Sequence, residues 1–513
     1  MLNICIFLDN QMTTTADKRL FGLLAALCLL IAGCADNGGI KPQAALLQPN
    51  TLAAGQAISQ ASAEAGWPQR AWWENYGDPQ LNTLVLAAVA GNPSMAMAAA
   101  RVRSAQAMAQ VAHAGELPQA QFDAAINRQD WSNNGYYGAV TPGQLNWNNT
   151  ATLGMSYGLD LWDKERNTSL RAIDEIHAMA ADARAAQLDL EANVVRSYVS
   201  LALQYGLLDN TNSTLAQEQH ILELAQHRFK GGIGTQMEIT QAEVPLPETR
   251  RQLEALQETI ALTRNQLAAL LGQGPGGGDR IVRPSLTLHA NIGLPGKVPA
   301  ELLGRRPDIS AARWRVEAAG KGIAVAKAAF YPNINLTASI GPVAVGGGLL
   351  SFLSAQNMNS TLGPAISLPI FEGGRLRGQL GATTAAYDLE VERYNQLLSQ
   401  ALKSIADQII TLQSLARQQA LADLSMAAAQ KNVDIATRAY QRGLTNYLNV
   451  LTAQTQFLHQ QQMVQQLLAQ KLTAYAGLTV ALGGGLELSA APQEISSASN
   501  PDVATVNLIG EAP

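Results

Sequence analysis

Histidines, cysteines and clustered carboxylates are the side chains through which this chain could do chemistry, and their spacing decides what is open to it. The six histidines, at 113, 177, 220, 227, 289 and 459, include no HExxH pair and no other spacing that would hold a zinc ion. No GxSxG elbow presents a nucleophilic serine. Gly276-Gly277-Gly278 lacks the GKS or GKT ending that lets a glycine loop cradle phosphate. The carboxylates are scattered along helical stretches at exposed-face spacing. The expectation is therefore no metal, no cofactor and no catalytic residue.

Cys34 is different, because its setting implies modification. Lys18-Arg19 and the apolar run from Leu20 to Gly33 have the basic and hydrophobic regions of a secretion signal, which places residues 1–33 outside the fold. Leu30-Ile31-Ala32-Gly33-Cys34 resembles the bacterial lipobox, whose cysteine becomes the lipidated first residue. A basic region normally lies near the start, which makes Met12 a candidate initiator beside Met1. Cys5 and Cys28 would leave with the signal, and the remaining chain could form no internal disulfide. Residues 34–66, polar, small and aperiodic, read as a lipidated tether.

The elements behind these residues come from an internal repeat. Leu302 to Gly341 reads as a helix that turns into a strand. Pro307 and Asp308 suit a helix start, Tyr331-Pro332 stops it, and Ile334, Leu336, Ala338 and Ile340 then alternate. Sliding back by 307 − 93 = 214 residues pairs Pro307 with Pro93, Arg315 with Arg101 and Pro332 with Pro118. Pro118 and Pro332 are thus matching helix-to-strand elbows. Thr152-Leu153-Gly154 answers Thr361-Leu362-Gly363, and Phe229, Gly232 and Ile233 answer Tyr440, Gly443 and Leu444. The chain is a tandem duplication, with a first repeat at 67–271, a linker at 272–299, a second repeat at 300–482 and a disordered tail at 483–513.

Within each repeat the pattern predicts a β-hairpin, near 119–161 and 333–371, followed by a proline-free helix of about 65 residues. The loop of the first hairpin is expected to run from Trp131 to Asn149, and its second strand to put Leu153, Met155, Tyr157, Leu159 and Leu161 on one face. The second hairpin is expected to have strands at 333–345 and 361–371. Two adjacent apolar seams on the first long helix, one with Leu188, Val195 and Tyr198 and one with Leu190, Val194 and Leu201, call for two neighbours. Pro245 and Pro247 predict a kink in the returning helix. The aromatic cluster at Trp67, Trp72, Trp73 and Tyr76 reads as packing.

A hydrophobic share of 47% with only 5% aromatic, rich in alanine, leucine and glutamine, favours long helices. A net charge of −5 offers no basic surface for nucleic acid. If the alternating strands face lipid, their sheet must close. Four strands are too few, since membrane barrels begin at about 8, so at least two chains must share one barrel.

On Trp73-Glu74, Gly77-Asp78-Pro79, Leu159-Asp160-Leu161-Trp162-Asp163, Arg305-Arg306-Pro307-Asp308-Ile309, Phe330-Tyr331-Pro332 and Phe371-Glu372-Gly373-Gly374, the chain resembles the TolC-type outer-membrane efflux channels, specifically their lipidated branch. The resemblance spans nearly the whole chain after the signal. It implies a mainly α fold with a small membrane β-part, in which a homotrimer shares a twelve-stranded β-barrel continuous with a periplasmic α-helical barrel. It further implies an exit duct for small molecules, coupled through a periplasmic membrane-fusion adaptor to an inner-membrane efflux pump. The family closes its tunnel where the long helices turn, which implies gate roles for Glu238, Tyr440, Thr445, Asn449 and Thr452. Gly231, Gly232 and Gly443 would be the hinges. Two other readings stand beside this one: a duct for type I secretion of polypeptides, and a periplasmic coiled-coil lipoprotein without a pore.

Overall fold

Proline behind a short polar side chain opens the first two helices. In the computed structural model, which describes residues 37–48, 52, 58, 67–130, 145–288, 305–346 and 348–485, α1 spans Pro79–Gly91 and α2 spans Pro93–Ala114. Asp78 caps α1 by accepting from the Gln80 amide, and Asn92 caps α2 through the Ser94 amide. Proline at a first turn gives up only an N–H that has no helical partner. Pro118 then turns the chain into β1 (Gln119–Asp130) and β2 (Leu145–Leu159). The long helix α3 (Lys164–Lys230) descends from the hairpin, and α4 (Gln236–Glu243) and α5 (Pro245–Leu270) return beside it. The plan repeats with α6 (Pro307–Ala328), Pro332, β3 (Asn333–Val345), β4 (Met358–Ser367), α7 (Arg375–Gln441) and α8 (Tyr447–Ala481). The two long helices have the same length, 67 residues.

Four strand boundaries differ from those the pattern predicts, at both ends of β2 and both ends of β4. Residues 145–149 are strand rather than loop, because each pairs with β1 and Asn148 and Asn149 also pair with β3. Asn149 is buried, accepting from the Asn127 amide and donating to the Leu349 carbonyl. Neighbours on both sides override an asparagine-rich composition that alone reads as loop. β2 stops at Leu159, and Leu161 lies in the turn beyond it, because Asp160 caps α3 through the amides of Glu165 and Arg166. β4 runs from Met358 to Ser367 rather than from Thr361 to Phe371. Its ladder ends where β3 begins at Asn333, and Pro369 has no N–H to extend it.

The helices form four columns in a row. α3 and α7 are continuous columns. α2 stands end to end on α5, where Asn92 Nδ2 donates to the Leu270 carbonyl. α6 stands on α8, where the Arg306 guanidinium reaches the Ala481 carbonyl. α3 packs against both stacked columns, and α7 packs against α6 and α8. Both seams of α3 are accordingly buried: Leu188, Leu190, Val194, Val195, Tyr198 and Leu201 lie in one core. Leu398, Ala401, Ile405, Leu412 and Leu415 do the same for α7. Pro245 interrupts the return of the first repeat at the single residue Val244, whereas α8 returns unbroken.

An aromatic strap crosses this row of columns at mid-height. Trp72, Trp73 and Tyr76 are buried against α3 and α8, with Trp72 and Tyr76 edge to face. The Tyr76 hydroxyl donates to the Leu472 carbonyl at 2.7 Å. The linker joins the strap. A 3-10 turn at Pro275–Arg280 leads to a segment in which the Thr287 amide donates to the Tyr76 carbonyl. Residues 37–48 lie along α7, where Asp388 accepts from the amides of Gln43 and Ala44 and Asn395 holds Leu47 and Ala45. The signal stretch, Cys34, residues 289–304 and most of the tail fall outside the described residues.

Candidate functional site

The sheet has the order β1-β2-β3-β4, antiparallel throughout. Its register fixes which residues share a face, since paired residues point the same way. One face carries Phe122, Ile126, Leu153, Met155, Tyr157, Leu336, Ile340, Leu362 and Ile366. These side chains are exposed, and no described residue of this chain covers them. The other face carries Gln121, Asn127, Thr152, Gly154, Ser156, Asn335, Thr337, Ser339 and Thr361. Its polar groups also pair with one another, as where the Ser339 and Thr361 hydroxyls meet at 2.7 Å. A sheet apolar on one side and hydrated on the other separates lipid from water.

Two elbows hold this sheet on the columns. Trp162 stacks on Tyr331 with ring centroids 4.6 Å apart, and its indole N–H donates to the Pro332 carbonyl at 2.7 Å. The first hairpin is thereby tied to the elbow of the second. Pro118 and Pro332 stand directly before β1 and β3. Asp163, at the start of α3, and Gly374, at the start of α7, both have positive φ, so the two repeats leave the sheet by the same backbone twist.

At the far end the long helices turn in the same way. Gly232 and Gly443 have φ of 70° and 71°. The amides of Ile233 and Leu444 reach back to the carbonyls of Arg228 and Ala439. This is the six-to-one bond of a Schellman stop, which places glycine in the left-handed region. Gly231 has φ of −78° and is not held to glycine by its backbone angle. Gly234, absent from the expected hinges, is the tighter site: a Cβ there would sit 2.8 Å from the Phe229 nitrogen. No motif signals it, because the constraint comes from how closely the turn folds back.

Around these turns, Glu238 lies 3.7 Å from the Arg228 guanidinium, and its amide donates to Thr235, the cap of α4. Asn449 donates to the Thr445 hydroxyl at 2.5 Å. Thr452 bonds back to the Leu448 carbonyl. Tyr440 packs on Tyr447, which meets His220 of α3 edge to face. Each residue expected to act at the constriction is thus near a turn, but within this chain they form separate pairs. Among the described residues no hydrogen bond or ion pair joins Glu238 to Tyr440, Thr445, Asn449 or Thr452. Nor do those residues hold any group of three or more His, Cys, Asp or Glu side chains fit for a metal.

A family model described as outer membrane efflux protein matches residues 84–273 and 298–484, once over each half. The chain belongs to the outer membrane efflux protein family. It is 52% identical over 379 residues to the fusaric acid resistance protein FusA of Burkholderia cepacia, covering 73% of this chain and 71% of that one. It is 31% identical over 466 residues to the multidrug resistance outer membrane protein MdtP of Shigella flexneri, covering 89% and 94%. Among solved structures, the outer membrane protein VceC of Vibrio cholerae matches with a TM-score of 0.75 at 36% identity, over 82% of this chain and all of that one. This outer membrane efflux protein therefore sits in the outer membrane, with its helical columns in the periplasm, and serves as the outer-membrane channel of an efflux system. An apolar sheet face suits lipid, and a polar face suits a water-filled passage.

Proposed function

We propose that three copies of the chain close into one duct, a twelve-stranded barrel above a tunnel of twelve helical columns. Through it, small molecules delivered by an inner-membrane pump and a periplasmic adaptor leave without chemical change. The observation that carries this reading is that sheet and columns are both open at both edges. Among the described residues, β1 and β4 each have one unpaired side, and the α2/α5 column and α7 each pack on one neighbouring helical column only. Unpaired strand edges are not tolerated in lipid, so the next copy supplies the partner. The names of FusA and MdtP favour small toxic compounds over polypeptides as cargo.

The lipid anchor fits the same arrangement. Ile40 packs beside Leu376 and Leu380 at the start of α7, just below the end of β4. Cys34 is three residues upstream of Asn37, at most about 11 Å of chain, which supports acylation of Cys34 at the periplasmic leaflet. In this reading the turns around Gly232 and Gly443 close the tunnel. Glu238 is held by Arg228 instead of standing as a bare carboxylate ring, and Tyr440, Thr445, Asn449 and Thr452 surround the second turn. The experiment is native mass spectrometry of detergent-extracted protein followed by single-channel recording. A trimer bearing acyl chains on Cys34 and conducting in a bilayer is the expected result. A monomer, or a trimer that passes no current even with Tyr440→Ala and Thr445→Ala in the turns, would overturn it.

A further inference from the structure

A groove of about 540 Å³ lies between α3, α7 and α8 at the level of the aromatic strap. Its floor is made of small residues of α8, Ala474 and Gly477 among them. Gly477 lets Gln408 of α7 cross close by, since a Cβ there would stand 2.7 Å from the Gln408 side-chain oxygen. Val199, Leu203 and Leu415 supply apolar wall, and Ser200, Thr411, Gln470 and Thr473 supply hydroxyls and amides. Arg196 is the one charged residue among those lining it. The Arg196 side chain is exposed and makes no hydrogen bond or ion pair among the described residues. Its charge acts through space on Asp189, two turns away, and on the buried Tyr76.

The direction in which the groove opens follows from the helix period. On α3, Glu191, Val194 and Tyr198 lie under the strap, and the Trp72 indole donates to Glu191. Arg196, Ser200 and Leu203 fall on the opposite side at about 100° per residue. On α8, Tyr475 meets Tyr76 and Asn75, and Gln470, Thr473 and Gly477 fall opposite. Two helices thus agree that the groove faces away from the strap. In a wall one helix thick with the strap outside, that side is the lumen, so this step rests on the channel reading above.

We propose that this groove is a lumenal resting site for amphipathic aromatic carboxylates, with Arg196 as the carboxylate clamp and the half-buried Leu203, backed by the buried Val199 and Leu415, against the ring. A guanidinium fork matches a carboxylate bidentately, and the volume lies within the range of small-molecule sites, about 300–1,000 Å³. An open, water-filled groove gives weak binding suited to transit, since a conducted species must also leave. Three symmetric grooves at one level would give the passage a ring of cations above the turns.

The test uses the full-length protein in detergent, with 2-naphthoate as probe and the uncharged 2-naphthamide as its isostere, read by calorimetry and by current block in bilayers. The unmodified protein is expected to bind naphthoate at least about tenfold more tightly than Arg196→Gln, the loss that follows from one charge-assisted contact. Arg196→Lys should fall between them, and naphthamide should ignore both substitutions. Thr473→Leu, which narrows the groove and keeps the charge, should weaken both probes. Equal naphthoate affinity in the unmodified protein and Arg196→Gln, or no binding at all, overturns the site. Arg196-dependent binding by a protein that passes no current would sustain the site and overturn the channel reading.

Discussion

Asp78 is buried, and both of its oxygens are engaged. Oδ1 caps α1, while Oδ2 accepts from the Tyr198 hydroxyl at 2.7 Å and from the Ser285 amide at 2.8 Å. One carboxylate so joins the strap, the long helix α3 and the linker. Asp78→Ala should lower unfolding stability by about 2–4 kcal/mol, combining a lost cap with two stranded donors, as chemical denaturation in detergent would measure. The sequence shows Gly77-Asp78-Pro79 only as a turn, because Tyr198 and Ser285 are 120 and 207 residues away and no local pattern names them. The same limit applies to Glu238: its position after the turn is legible, but Arg228 becomes its partner only once the Schellman stop sets the turn's shape. Asp174 gives a pH test. Burial pushes its carboxyl up to about 6, with Lys321 opposing and Glu317 and Glu175 reinforcing, and its Oδ2 has no hydrogen-bond partner among the described residues. The folded state holds this proton more tightly than the unfolded chain, where the value is 3.8. Its contribution to stability is full below that value and is lost as pH rises through about 6. Asp174→Asn should therefore raise the melting temperature relative to the parent near pH 7.5 and leave it unchanged near pH 4.

The strands show what an element-scale reading can and cannot reach. β1 and β3 follow prolines and begin where Pro118 and Pro332 say they must, since a ring-locked residue without an N–H marks its own boundary. β2 and β4 are bounded by pairing instead: Asn146, Asn148 and Asn149 all join the ladder with β1, and Asn148 and Asn149 are also received by β3. The helices are easier, because a 3.6-residue period repeated over 67 residues leaves little room for error. The register moves the midpoint of β2 to about Leu153, with Leu159 as its last residue near the periplasmic rim. Leu153→Arg should then cost about 2–4 kcal/mol and Leu159→Arg about 0–1 kcal/mol, the depth dependence expected of a lipid-facing charge. Refolding titrations into lipid vesicles would measure both. Equal costs would mean that the apolar face does not meet hydrocarbon where the register puts it.

At the scale of the molecule, the duplication is legible in the sequence, and its consequence is an open array that ends differently at its two sides. α7 ends the row with Ile410, Leu421, Leu424 and Ile435 exposed along it, away from the seam that packs on α6 and α8. The α2/α5 column ends the other side with Met97, Met108, Val111 and Leu262 exposed. Monomeric surfaces seldom keep such apolar stripes. Stripes on opposite edges of one body meet head to tail, and a head-to-tail contact that closes makes a ring. The closure number is not written in either stripe, since it depends on the angle between adjacent columns. Leu421→Glu combined with Leu424→Glu places two carboxylates on the α7 edge while leaving the seam of Leu398, Ile405 and Leu412 intact. Each chain should keep its helical content by circular dichroism, and light scattering should show a shift from trimer toward monomer. Each burial lost is about 1.5–3 kcal/mol per leucine, and a ring of three loses it at every junction, so the shift should be complete at micromolar concentration. A trimer that survives both glutamates would place this stripe against solvent in the assembly, and the partner of α7 would have to be sought on another of its faces.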